Sequence, residues 1–380
     1  MPQIFELLGY PASDNSEKVV QSRKKAFCPF MNATCDGGGN RFMAELLLKE
    51  HPELQMFFNS METVPSGICS IQLSENTPPW IICPRRLLYM GSKANEDTFK
   101  GATQQRLLSK CNFPTGSRIG IWAETKVKYV KEQSTEDNAL FDYTFDYVLS
   151  RLGRVSLESA SIQTGMAENE LKRKLTVAGY TLALVNGNIM IEDFPIGSPY
   201  IVEVMTSSTS GGNKRIRSCI PQSFEDCILG KPHNAPGINY RQVWARMASQ
   251  MIVKSQAANT WGGYTIWILQ DVLADYISNS TALDLKHFIT EQLSEVNILS
   301  FSYSEKFKSP SKGDTIELTD STLFAGPIRP YKDNQKNIPI VSRYCFGFSM
   351  SSKISVACCT CEEITFNYYP TLGKCNNPIS

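Results

Sequence analysis

Short apolar runs separated by polar breaks dominate the chain. RIGIWAE, ending at Glu124, reads as a strand, and YTFDYVL reads as a second one that carries Asp146 among aromatic and β-branched residues. A third, PYIVEVM, places Glu203 beside Ile201, Val202 and Val204 and then breaks into the polar, basic loop TSSTSGGNKRIR. WGGYTIWIL predicts a further strand and DVLADYI the start of a helix. GINYRQVWARMASQMIVKSQA spaces Val243, Met247 and Met251 beside Trp244, Ala248 and Ile252, which predicts an amphipathic helix with its methionines in the core. Residues 1–25 read as a polar lead-in ending in Ser22-Arg23-Lys24-Lys25. ELLLKEHPELQMFF reads as helix within an excursion between Gly37-Gly38-Gly39 and Pro65-Ser66-Gly67.

Residues 155–192 have a pattern of their own. Two helical periods meet at Thr164-Gly165, with Glu168 and Glu170 early in the second helix and Lys172, Arg173 and Lys174 late, as the helix dipole favours. A hairpin signal at Asn186-Gly187 follows. Helix, glycine turn, helix and hairpin is the layout of a winged helix-turn-helix, whose second helix can enter a DNA groove. A helical hairpin packed for structural reasons alone has the same pattern. From about Asn297 the chain turns β-rich. The elements predict an α/β fold with a mixed central sheet, divided into residues 1–110, a core at 111–296 with 155–192 as an insertion, and a β-rich part at 297–380.

Composition narrows the chemistry. Hydrophobic residues make up 42% and charged residues 20%, with no run long enough to cross a bilayer and no basic-then-apolar leader in MPQIFELLGY, so a soluble cytoplasmic protein without membrane association is expected. The net charge of +1 leaves a polyanionic partner to local clusters such as Lys214, Arg215 and Arg217. The 3 histidines, His51, His233 and His287, lack partners at ligand spacing. The 12 cysteines, reduced in a cytoplasmic setting, point to metal ligation or burial. Cys28, Cys35, Cys69 and Cys83 lie among prolines and glycines that can turn them toward one centre, and four thiolates suit tetrahedral zinc or iron. Their spacing is irregular and contains no CxxC pair, so four buried free thiols remain an alternative. Cys219 and Cys227 read as structural. Cys358, Cys359 and Cys361 crowd too closely for one ion and read as buried, with a second site through Cys345 or Cys375 the lesser option.

Glu203 in an apolar strand is costly as a bare charge, so a cation or a proton must neutralise it. A metal ion can do so, and so can Lys214, Arg215 or Arg217. Asp146 and Glu203 on neighbouring strands would hold Mg²⁺ between oxygen ligands with positions left for water and a phosphate oxygen, the chemistry of a nuclease. Nucleases of the PD-(D/E)XK kind carry the second acid as E-x-K. Here the text is Glu203-Val204-Met205, and methionine cannot donate a hydrogen bond, so the motif is incomplete.

CPF at Cys28, then Cys35, GIC at Cys69, WIICPRRL around Cys83, YTFDYVL, IVEVMT and VWARMASQM occur in the order in which similar pieces occur in NotI-type type II restriction endonucleases. The chain resembles that family over most of residues 26–150 and 198–275. The resemblance implies a PD-(D/E)XK nuclease core with an N-terminal four-cysteine metal domain. It implies a homodimer that cuts double-stranded DNA with Mg²⁺ at a palindromic, GC-rich site. Asp146 and Glu203 would be the active-site acids, and Cys28, Cys35, Cys69 and Cys83 would bind iron beside the recognition surface. The gap from Cys35 to Cys69 is longer than the family pattern. The family also carries glutamine where this chain has Met205, which leaves water orientation to another group such as Lys214, Gln250 or Glu124, and residues 155–192 are inserted between the acidic motifs. Met205 motivates an alternative, a non-cleaving DNA-binding protein on the same fold. The near-zero net charge motivates another, a metal-stabilised interaction protein.

Overall fold

The computed structural model describes residues 1–39, 45–58, 61–91, 93–129, 141–281, 284–327 and 363–367. Cys345, Cys358, Cys359, Cys361 and Cys375 lie outside these residues.

The apolar strands assemble one mixed sheet in the order Leu318–Gly326, Val296–Tyr303, Tyr264–Gln270, Asn188–Val204, Phe141–Ser156, Arg118–Tyr129 and Glu363–Asn367. Asn188–Val204, Tyr264–Gln270 and Val296–Tyr303 run parallel to one another, and the remaining pairings are antiparallel. Parallel neighbours need crossovers, which the helices Tyr240–Thr260 and Asp271–Thr281 supply. The fold is therefore mixed α/β.

A strand covered on both faces must be apolar almost throughout, and Tyr264–Gln270 is buried from Thr265 onward. Its side chains alternate between two cores. Ile266 and Ile268 pack with Leu107 and Leu108 of the helix Ala102–Lys110, while Trp267 and Leu269 pack with Val243, Met247 and Met251 of the long helix Tyr240–Thr260. The expected methionine core is present.

The expectation of a polar lead-in is overturned. Gln3–Leu7 is an inner strand of a four-stranded sheet with Tyr10–Pro11, Ile68–Gln72 and Trp80–Ile81, and Glu17–Lys24 is helical. Glu6 in this strand is fully buried because a buried cation meets it. Arg86 Nε donates to both Glu6 oxygens, at 2.9 and 3.0 Å, and Arg86 also donates to the Ile316 carbonyl at 2.6 Å. The bond to Ile316 ties Arg86, and through it Glu6, to the segment that leads into the edge strand Leu318–Gly326. The helix expected in ELLLKEHPELQMFF is shorter than read: Glu45–Leu47 is a strand paired with Thr63–Pro65, and the helix Pro52–Phe57 starts at the proline, whose missing N–H costs nothing there.

Within residues 155–192 the helices Leu157–Thr164 and Glu168–Val177 meet at Gly165, whose left-handed φ of 66° closes the first helix. Leu157, Ala160, Leu171, Leu175 and Ile191 form a small core between them and the hairpin. Its second strand, Asn188–Val204, also carries Glu203 near its far end. Among the described residues no helix is long and apolar enough to cross a membrane.

Candidate active site

The Asp146 and Glu203 strands are antiparallel neighbours, paired from Ser156↔Met190 to Tyr147↔Val202 with register shifts at Gly153/Val155 and Leu149/Arg151. One step further, where Asp146 comes opposite Glu203, the ladder stops. The Asp146 carboxylate replaces it by accepting the Val204 N–H at 2.8 Å. On the other flank, Glu124 stands opposite Asp146 in the register between Phe145↔Thr125 and Tyr147↔Ala123. Its φ of 50° is left-handed, a strained conformation for glutamate that concentrates at functional positions. The strand read in RIGIWAE runs on without interruption to Tyr129.

Glu203 is 2% exposed. Lys254, from the long helix, donates to its Oε2 at 2.5 Å and to the Thr144 carbonyl at 2.8 Å, so one ammonium clamps both acid strands. The other oxygen, Glu203 Oε1, is buried with no hydrogen-bond partner among the described residues. Burial and the neighbouring Asp146 charge push the Glu203 carboxyl up to about 8 against the pull of Lys254. Burial likewise raises Asp146, while the Val204 amide and Lys254 draw it down. Two carboxylates that resist ionisation side by side, one with an unpartnered oxygen, form an oxygen donor set suited to a hard divalent cation.

Asp146 opens into a cavity of about 270 Å³ with Glu124, Arg85, Arg246 and Thr206 on its walls. Of the groups considered for the third motif position, Glu124 reaches this cavity, while Lys214 lies on an exposed turn and Gln250 lies on the long helix. The alternative partners for Glu203 are engaged elsewhere or exposed: Arg217 pairs with Asp226 at 2.6 Å and Glu225 at 2.9 Å, and Arg215 is exposed. Met205 is a core residue, buried with Val243, Met247 and Met251. Lys254 was missed. Its signal was present, since Met247, Met251, Lys254 and Ala258 recur at intervals of three and four on the buried stripe. A lysine on an apolar stripe requires a buried anion.

Cys28, Cys35, Cys69 and Cys83 line a single cavity of about 10 Å³, although 34 residues separate Cys35 from Cys69. Burial raises the Cys28 thiol to about 12 and raises Cys35 further, while a hydrogen bond between the Cys69 and Cys83 sulfurs holds Cys83 low and Cys69 high. No group of three or more His, Cys, Asp or Glu side chains among the described residues is already arranged to hold a metal ion, and the four sulfur-bearing residues share one cavity wall. As a donor set, four sulfurs fit zinc or iron. Cys227 is buried and Cys219 partly so, while Cys111 lies in the main core.

No protein-family model matches the chain, and no curated protein matches it.

Proposed function

We propose that this protein is a Mg²⁺-dependent endonuclease acting on double-stranded DNA, in which Asp146 and Glu203 hold the metal and Lys254 supplies the charge that the E-x-K motif lacks at Met205. The observation that carries this reading is the meeting of a buried carboxylate, Glu203, a half-buried one, Asp146, and a buried ammonium, Lys254, where the ladder between the acid strands ends. A mixed sheet with the acids on adjacent antiparallel strands and a crossover helix behind them is compatible with a PD-(D/E)XK core. Mg²⁺ bound there would polarise a phosphodiester and acidify the attacking water.

The protein's own groups set the stage for that ion. Lys254 occupies Glu203 Oε2 and leaves Oε1 for a ligand, and the Val204 amide fixes Asp146 through Oδ2. The resemblance to NotI-type enzymes extends the proposal to a homodimeric restriction endonuclease with a palindromic, GC-rich target, and to iron or zinc held by Cys28, Cys35, Cys69 and Cys83. The alternative of a non-cleaving DNA-binding protein drew on Met205. With Lys254 at Glu203, the missing charge comes from a helix, which favours cleavage.

Incubating mixed-sequence plasmid DNA with the protein, with Mg²⁺ and with a chelator, tests the reading. Discrete Mg²⁺-dependent fragments are expected. Retardation of the DNA without cleavage in Mg²⁺ would assign the protein to the non-cleaving class, and neither cleavage nor retardation would leave the interaction protein.

A further inference from the structure

Arg85 lines both the cysteine cavity and the acid cavity. Its Nε donates to Asp36 Oδ2 at 3.0 Å, Nη1 donates to the Tyr147 hydroxyl at 3.4 Å, and Nη2 lies 3.7 Å from Glu124 Oε1. Asp36 is itself fixed, because its Oδ1 accepts the Gly38 N–H at 2.8 Å. Asp36 follows Cys35 directly, and Arg85 follows Cys83 by two residues. Both halves of the Arg85–Asp36 pair therefore hang from residues that wall the cysteine cavity.

On its other side, Arg85 shares the acid cavity with Arg246 and the hydroxyl residues Thr206, Ser207 and Ser208, beside Asp146. Guanidinium forks and hydroxyl donors around a pocket of this size match the oxygens of a phosphodiester. With its Nε edge held by Asp36, Arg85 turns its terminal nitrogens toward that space. Only 18% of the side chain is exposed, so the contact would be made away from bulk water, where a charge-assisted hydrogen bond is strongest.

We propose that Arg85 contacts a DNA phosphate in the acid cavity and that Asp36 holds it there, so that the four-cysteine region positions a group of the cleavage site. The proposal rests on the nuclease reading. Arg85 is then the substrate-contacting residue and Asp36 the positioning residue.

The test measures binding of a mixed-sequence duplex against salt, with Ca²⁺ in place of Mg²⁺, together with steady-state cleavage in Mg²⁺. Arg85→Gln is expected to flatten the slope of log affinity against log salt by roughly 0.9, one phosphate contact. Asp36→Asn leaves the arginine charge in place and should keep the slope while lowering kcat, with KM changed less. Asp36→Glu should recover part of kcat. If Arg85→Gln does not fold, the Asp36→Asn and Asp36→Glu pair decides, and wild-type kcat in Asp36→Asn overturns the positioning role. An unchanged slope in Arg85→Gln, with the wild type cleaving, overturns the phosphate contact alone. A wild type that neither binds nor cleaves overturns both this proposal and the nuclease reading.

Discussion

Lys254 Nζ stands 2.5 Å from Glu203 Oε2, with the two side chains 4% and 3% exposed. An ammonium and a carboxylate so deeply buried are each expensive to desolvate, and the pair does not recommend itself as a source of stability. A hydrophobic pair of similar volume would serve the core at least as well. What the pair provides is a charge fixed beside a carboxylate whose second oxygen is unpartnered among the described residues.

That relationship predicts a stability cycle. Above about pH 8, where the Glu203 carboxyl is ionised, removing Lys254 strands that charge, so Lys254→Met should destabilise there by about 3–5 kcal/mol and by less near neutrality, where a proton neutralises Glu203. Adding Glu203→Gln to Lys254→Met should recover much of the loss. Urea unfolding of the two single variants and the double variant measures the coupling, and additive losses would mean the two charges do not see each other.

Both acids are expected to be indispensable to cleavage and dispensable to DNA binding. Asp146→Asn and Glu203→Gln remove one oxygen ligand each, so each should abolish Mg²⁺-dependent cutting while phosphate and base contacts made elsewhere persist. Plasmid digestion and gel retardation on the same samples check this. Full turnover by either variant would rule out the assigned roles.

For the cysteines, elemental analysis should find one iron or zinc per chain. Cys69→Ser should lower both the metal content and the thermal midpoint, because binding energy at such a site is folding energy. A wild type that is free of metal and melts at the same temperature as Cys69→Ser would show four structural thiols instead.

The helix Glu168–Val177 turns Leu171 and Leu175 inward and leaves Asn169, Lys172 and Arg173 exposed. If this face reaches DNA, replacing Asn169 and Lys172 by alanine should weaken binding and reduce the salt slope by roughly one phosphate contact. Unchanged slope and affinity in that double variant would make the module a packing element.

Asp14 predicts an acid-sensitive contact between the N-terminal region and the loop near Gly313. Burial pushes its carboxyl up, but the N–H groups of Gly313, at 2.6 Å, and Ser16, at 2.8 Å, outweigh that and hold it below the usual range. A depressed folded-state value means that the stabilisation is present above the unfolded pKa, near 3.9, and is lost as pH falls through the folded one. Asp14→Asn should therefore be less stable than wild type near neutrality, with the gap closing below about pH 4. Denaturation midpoints across that range read it directly. A gap independent of pH would remove the ionised carboxylate from the account.

Local signals determined much of this protein. Short apolar runs marked the strands around Asp146, Glu203 and Trp267, a period near 3.6 marked the long helix, and Gly165 and Asn186-Gly187 marked the turns of the inserted module, because these are short-range steric and burial effects. Residue chemistry singled out the four cysteines and the two acids. Tertiary structure alone decided how they meet. The packing of the long helix onto the Glu203 strand brings Lys254 to an acid 51 residues away, a distance no motif spacing encodes. Strand register sets Glu124 opposite Asp146. Folding of the N-terminal sheet gathers cysteines from four separate segments and swings Arg85 between them and the acids. The strand Gln3–Leu7 depends on the fold as well, since Glu6 is buried there because Arg86, 80 residues on, meets it. A side chain's charge is visible in the sequence, but its partner is chosen by the fold.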